Sequence, residues 1–210
     1  MKAAKLICII GAECTGKTTL ARALAAHFAC PWVPEHLRDF CDSRGRTPTR
    51  DEQLSILETQ HLAELAAHAQ ATQQEKPFVF CDTAPLLTAI YSDFIFGDRS
   101  LYDRARALHS NYALTLLLAP NIAWVADGLQ RDGAQVRAPI TKMITNELGA
   151  MGVPLALIVD QEKERIAAAI GAINALNTHG VSQSPYRAAD QSLARTQLRS
   201  DACRQGAVTE

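Results

Sequence analysis

A chain of 210 residues has room for one domain with a tail, not for two full domains. Apolar residues make up 48% and charged residues 20%, the balance of a folded globular protein and not of a disordered one. The formal net charge of −1 excludes a surface-wide field for nucleic acid or anionic membrane, and no apolar run approaches the roughly 20 residues needed to span a bilayer, so any polyphosphate must be held locally.

Taken in chain order, short apolar runs alternate with longer helical stretches, the rhythm of βαβ units around a parallel sheet buried on both faces. Strands are expected at residues 6–10, 32–34, 78–81, 113–118 and 155–159. The spacing predicts a helix at 17–28, a long one at 51–74 and a closing one at 162–176. In the long helix Leu54, Leu57, His61, Leu62 and Leu65 recur at three- and four-residue intervals, and Thr49-Arg50-Asp51-Glu52 supplies an N-terminal cap. Residues 43–49 form a loop by their Gly, Pro and hydroxyl content, and its arginines, with Arg50, either touch a substrate phosphate or lie on the surface. From about residue 177 the composition turns to Ser, Gln, Ala and Arg, so a domain at 1–177 and a poorly ordered tail at 178–210 are expected. The fold class is α/β: a P-loop NTPase of nucleoside or nucleotide kinase type, with a five-stranded parallel sheet and helices on both faces.

Six cysteines show neither a CxxC pair nor a zinc-clasping spacing, and Cys8 and Cys81 fall in apolar runs as small buried hydrophobes. A reducing, cytoplasmic setting is the default expectation. The first apolar run is too short for a signal peptide and ends in a glycine loop.

That loop carries the chemistry. Gly11-Ala12-Glu13-Cys14-Thr15-Gly16-Lys17-Thr18 fits the GxxxxGK[ST] phosphate cradle and sits where such a cradle belongs, after a β-branched strand and before a helix. Backbone N–H groups from Glu13 through Cys14, Thr15, Gly16, Lys17 and Thr18 would face the β-phosphate at the positive end of the helix, with Thr19 completing the first turn. Lys17 would bridge β- and γ-oxygens of ATP, and the Thr18 hydroxyl would ligate Mg²⁺. The run Phe78-Val79-Phe80-Cys81-Asp82 is an apolar strand ending in an acid; Asp82 is either the general base for the attacking hydroxyl or a ligand of the metal's shell. No Asn/Thr-Lys-x-Asp base-reading motif follows Asp82, and the chain is short for a motor ATPase, which leaves small-molecule kinases with arginine-bearing lids.

Several segments together resemble the ribosylnicotinamide (nicotinamide riboside) kinase domain of NadR-like NAD-salvage proteins: the acid-bearing P-loop; Pro34-Glu35-His36-Leu37-Arg38-Asp39-Phe40; Phe80-Cys81-Asp82-Thr83; and Trp124-Val125-Ala126-Asp127-Gly128-Leu129-Gln130. The resemblance spans roughly residues 5–160. It implies an ATP- and Mg²⁺-dependent transfer to the 5′-hydroxyl of a small-molecule nucleoside, most directly nicotinamide riboside, with no nucleic-acid or membrane partner. Glu35 and Arg38, Trp124 and Asp127 would contact the acceptor together with Asp82, and Arg131 and Arg137 would be the lid cations beside Lys17 and Asp82. The family's arginine directly after Asp-Gly-Leu is replaced here by Gln130, so the cationic contact shifts to Arg131 or falls to Arg137. Members often carry an adenylyltransferase and a DNA-binding domain as well; a stand-alone kinase domain is expected here. Alternatives left open are another nucleoside or nucleotide kinase, or a regulatory ATP-hydrolysing module. The sequence carries no signal for oligomeric state.

Overall fold

The computed structural model describes residues 3–122, 134–159 and 162–178. The elements run β1 (Lys5–Ile10), α1 (Lys17–Phe28), β2 (Trp32–Val33), α2 (His36–Arg44), α3 (Gln53–Gln73), β3 (Phe78–Asp82), α4 (Pro85–Phe96), α5 (Tyr102–His109), β4 (Leu114–Leu118), α6 (Arg137–Met151), β5 (Leu155–Ile158) and α7 (Glu162–Thr178), with one-turn 3-10 segments at Arg50–Glu52 and Ala134–Val136. All five strands pair in parallel, in the order β2-β3-β1-β4-β5. The chain goes from β1 out to the edge at β2, returns to β3 beside β1, then crosses to β4 on the other flank. That change of direction places a crevice at the carboxyl ends of β1 and β3.

Strand residues alternate between two cores, as the pleat demands. Ile7 and Ile9 of β1 pack with Leu20 and Leu24 of α1 and Ile173 of α7. Cys8 and Ile10 face the opposite layer, with Leu57 of α3, Leu86 and Ile90 of α4, Ala105 of α5 and Ile140 of α6. Every residue of β3 and β4 is buried, the expected state of strands covered on both faces. No helix among the described residues is long and apolar enough to cross a membrane.

The expected strands and the helices at 17–28, 51–74 and 162–176 all have counterparts here, and Thr49 and Glu52 form a full capping box, with Glu52 accepting from the Thr49 N–H at 2.8 Å. Four helices have no counterpart in the sequence reading: α2, α4, α5 and α6. In α4 the reason is plain, because seven of its twelve residues are buried, which leaves no clean polar stripe. Of the four regularly spaced leucines of α3, Leu57 alone is on its core face. Leu54, Leu62 and Leu65 are 49%, 61% and 47% exposed, while the buried face holds Gln53, Ile56, Leu57, Gln60 and Glu64.

Those polar residues are buried because they have partners. The Gln60 carbonyl accepts the His36 N–H at 2.9 Å, its amide donates to Glu64 at 3.1 Å, and the Tyr112 hydroxyl donates to the other Glu64 oxygen at 2.7 Å. The series fastens the start of α2 to α3 and to the loop before β4. Burial raises the Glu64 carboxyl from 4.5 to about 7, against the two hydrogen bonds that favour its charged form. Since the folded value lies above the unfolded one, the folded state holds the proton more tightly, and stability from this group falls as pH rises from about 4.5 to about 7. Urea unfolding at pH 5 and pH 8 is expected to show a loss of up to about 3 kcal/mol at the higher pH that Glu64→Gln abolishes; an equal pH slope in the variant would assign the loss to other groups.

Candidate active site

The site is built where β1 ends. At Gly11 there is no room for a side chain: a Cβ would sit 2.8 Å from Thr15 Oγ1 and 3.0 Å from the Leu118 carbonyl. The Thr15 hydroxyl donates back to the Ala12 carbonyl at 2.8 Å, closing the loop on itself. Cys14 and Gly16 both take left-handed backbone, at φ 52° and 80°. Such alternation of handedness turns successive N–H groups inward and makes an anion nest at the start of α1. Lys17 donates to the Ala12 carbonyl at 3.2 Å, so its ammonium lies across the loop. Thr19 is exposed on the first turn of α1, with only its backbone on the loop side of the helix start.

One support of this loop carries no motif. Arg165, on α7 and 5% exposed, donates one guanidinium N–H to the Thr15 carbonyl and another to Asn121 Oδ1 at 3.2 Å. Its guanidinium would meet a Cβ at Gly16 at 3.0 Å. A lone arginine 148 positions after Lys17 gives the sequence reader no signal; only the fold joins them.

Asp82 ends β3 and pairs in register with Ile9. It is 1% exposed, and its Oδ2 accepts the Thr18 hydroxyl at 2.6 Å while its Oδ1 has no hydrogen-bond partner among the described residues. Burial raises its carboxyl above the ordinary range and nearby Glu35 adds to the rise; the Thr18 hydrogen bond and the charges of Lys17 and Arg38 oppose it. An orphaned, buried carboxylate oxygen beside a threonine hydroxyl is a donor set that fits Mg²⁺, a hard cation satisfied by few protein oxygens and several waters. Thr83 follows at φ 74°, a left-handed conformation rare for a β-branched residue, with its own hydroxyl buried and unpartnered among the described residues.

Beside the loop opens a cleft of about 420 Å³. Glu13, Cys14 and Lys17 form its phosphate end, Glu35 and Arg38 one side, and Leu37, Ile56, Leu87, Tyr91 and Phe96 much of its apolar wall. Glu35 is the residue before α2, 8% exposed, and its carboxylate makes no hydrogen bond to a described residue. The Tyr91 hydroxyl reaches Glu13 Oε1 at 3.4 Å. Asp82 lies behind the loop and does not line the cleft.

Of the loop arginines, Arg46 forks onto Glu52 at 2.7 and 2.8 Å, and Arg50, which lines the cleft, meets Asp98 at 3.1 Å. Arg137 opens α6, 8% exposed. It donates to the Ile122 carbonyl at 2.9 Å, while Nε and Nη2 are buried with no partner among the described residues. Ile122 itself would be 3.5 Å from a Cβ at Gly16, so Arg137 is tied to the loop's flank. Trp124, Asp127 and Arg131 lie outside the described residues, as does the tail beyond Thr178.

Gly11→Ala is expected to lower ATP affinity at least tenfold by calorimetry, because the Leu118 carbonyl cannot yield. Gly45→Ala, at φ 65° with nothing within 4 Å, should cost only backbone strain of about 1 kcal/mol and leave ATP affinity unchanged.

No curated protein matches this chain in sequence. Among solved structures it is similar to NadR protein in complex with NR, at 19% identity and TM-score 0.70, over 86% of this chain and 53% of that one. A thymidylate kinase from Ehrlichia chaffeensis (15% identity, TM-score 0.58, 83% and 100% covered) and a deoxyadenosine kinase from M. mycoides (13%, 0.53, 81% and 99%) share the fold. The chain thus spans about half the length of the NadR chain it matches. At these identities the likeness is one of fold, and the fold is that of P-loop nucleoside and nucleotide kinases, in keeping with the resemblance its motifs carry. Residues 6–165 match the model of the family described as AAA domain, and a match over that much of the sequence means that the protein belongs to the AAA domain family.

Proposed function

We propose that the chain transfers the γ-phosphoryl group of ATP to the 5′-hydroxyl of a ribonucleoside, with nicotinamide riboside as the first candidate, in a reducing cytoplasmic compartment. The observation that carries the reading is the cleft itself. It runs from the phosphate loop into an apolar, aromatic-bearing wall with Glu35 and Arg38 along one side, which suits a sugar joined to a flat ring. A nucleotide acceptor would bring a second phosphate needing free cations. Arg46 is taken up by Glu52, while Arg38 and Arg50 line the cleft, so a nucleotide acceptor is the second candidate.

In this reading Lys17 exchanges the Ala12 carbonyl for the β- and γ-oxygens of ATP, and the inward N–H groups of residues 13–18 hold the β-phosphate. Thr18 and Asp82 would hold Mg²⁺, which when bound neutralises phosphate charge. Of the two roles open to Asp82, this one is supported by its seat behind the loop and its hydrogen bond to Thr18. The base role then passes to Glu35, which lines the cleft and has a carboxylate with no intramolecular hydrogen bond to a described residue to give up. The two unpartnered nitrogens of Arg137 suit the transferring phosphoryl group, where buried positive charge acts most strongly. Trp124, Asp127 and Arg131 remain candidates for the lid and acceptor contacts by resemblance.

Coupled ADP release over a nucleoside panel tests the reading. Turnover should depend on a nucleoside and vanish in EDTA and in Lys17→Ala. Glu35→Gln should lower kcat by about 10²- to 10⁴-fold with the KM for ATP little changed; Asp82→Asn should instead raise the Mg²⁺ concentration needed for half-maximal rate. ATP binding without nucleoside-dependent turnover would refute the kinase reading.

A further inference from the structure

The cleft wall contains a polar group that the transfer reaction does not use. Gln53, the first residue of α3, is 5% exposed and lines the cleft together with Pro48, Ile56, Leu87 and Phe96. Its amide makes no hydrogen bond to any described residue. Gln60, two turns further along the same buried face, shows what a structural glutamine looks like here: its oxygen accepts from His36 and its nitrogen donates to Glu64. A primary amide offers two N–H donors and a carbonyl with two lone pairs, and at Gln53 none of these is sealed from solvent, so they are available to a ligand in the cleft. An amide that lines a largely apolar stretch of cleft wall, with no partner of its own, is therefore a place where a ligand would complete the bonding.

Resting on the reading of this cleft as the acceptor site, we infer that Gln53 determines specificity for the ring of the acceptor, by pairing its amide with a group that presents a donor and an acceptor side by side. A ring carboxamide has that character, and so does the amino edge of a nucleobase. A ring carboxylate does not. It can accept from the Gln53 N–H, but its second oxygen then faces the Gln53 carbonyl with no proton between them. A site built this way rejects the mismatched analogue more strongly than an apolar wall does, because its own amide is left unpaired. No covalent step involves Gln53, so its contribution should appear in KM more than in kcat.

The test compares nicotinamide riboside with nicotinic acid riboside, a pair differing only in carboxamide against carboxylate, in the full chain and in Gln53→Leu and Gln53→Glu. Wild type is expected to favour the carboxamide by at least about tenfold in kcat/KM. Gln53→Leu should cut kcat/KM for the carboxamide by about 10- to 100-fold, chiefly through KM, and change the carboxylate by less than about threefold, with the KM for ATP unaltered. Gln53→Glu, close in shape, keeps the question answerable should the leucine variant fail to fold; it should weaken both ribosides, the carboxylate more through like-charge repulsion, so that selectivity for the carboxamide rises above the wild-type value. Selectivity equal to wild type in a folded Gln53 variant would overturn the inference while leaving the nucleoside-kinase reading intact. Wild-type chain that binds ATP but phosphorylates no nucleoside would overturn both.

Discussion

The site depends on a steric constraint at one residue. Where β1 ends, the backbone passes so close to the carbonyl of Leu118 and the hydroxyl of Thr15 that Gly11 has no space for a β-carbon. That close passage lets the loop turn back over the end of the central strand and enter α1 with its N–H groups facing inward. Thr15 fastens the turn from inside and Arg165 from outside, so a helix from the far end of the domain braces a loop near its beginning. Since β3 lies next to β1, the same geometry delivers Asp82 to Thr18.

The buried polar groups fall into two sets with different physical status. Gln60, Glu64 and Tyr112 satisfy one another and fix the position of α2 relative to α3. Asp82 Oδ1, the Thr83 hydroxyl and two nitrogens of Arg137 have no such partner among the described residues. Leaving such a group unpaired costs about 1–3 kcal/mol, and Ser92, His109 and Thr141 carry buried unpartnered atoms as well. Asp82 and Thr83 follow one another at the carboxyl end of β3, beside the start of α1.

Sequence reading reached what depends on local pattern. The glycine loop, the β-branched strand before it, the acid closing β3 and the Thr49–Glu52 cap are each encoded within a few residues, and the parallel sheet follows from their alternation. It did not reach features that depend on tertiary burial. The leucine spacing of α3 marked a helix but not its buried face, which carries Leu57 beside glutamines and a glutamate that are silent until their partners are known. The helix α4 is too apolar to show a helical period. Arg165 and Gln53 belong to no motif, and only the folded chain brings one to the phosphate loop and the other to the cleft.

The two walls of the cleft are attached to the sheet very unequally. The phosphate wall hangs from β1, a six-residue strand paired on both sides, whereas Glu35 follows β2, an edge strand of two residues paired only through Trp32 and Val33. Local opening is easiest where few ladder bonds hold a segment. The Glu35 side is therefore held less by the sheet than by the His36–Gln60 hydrogen bond at the start of α2, whereas the phosphate cradle hangs directly from the central strand.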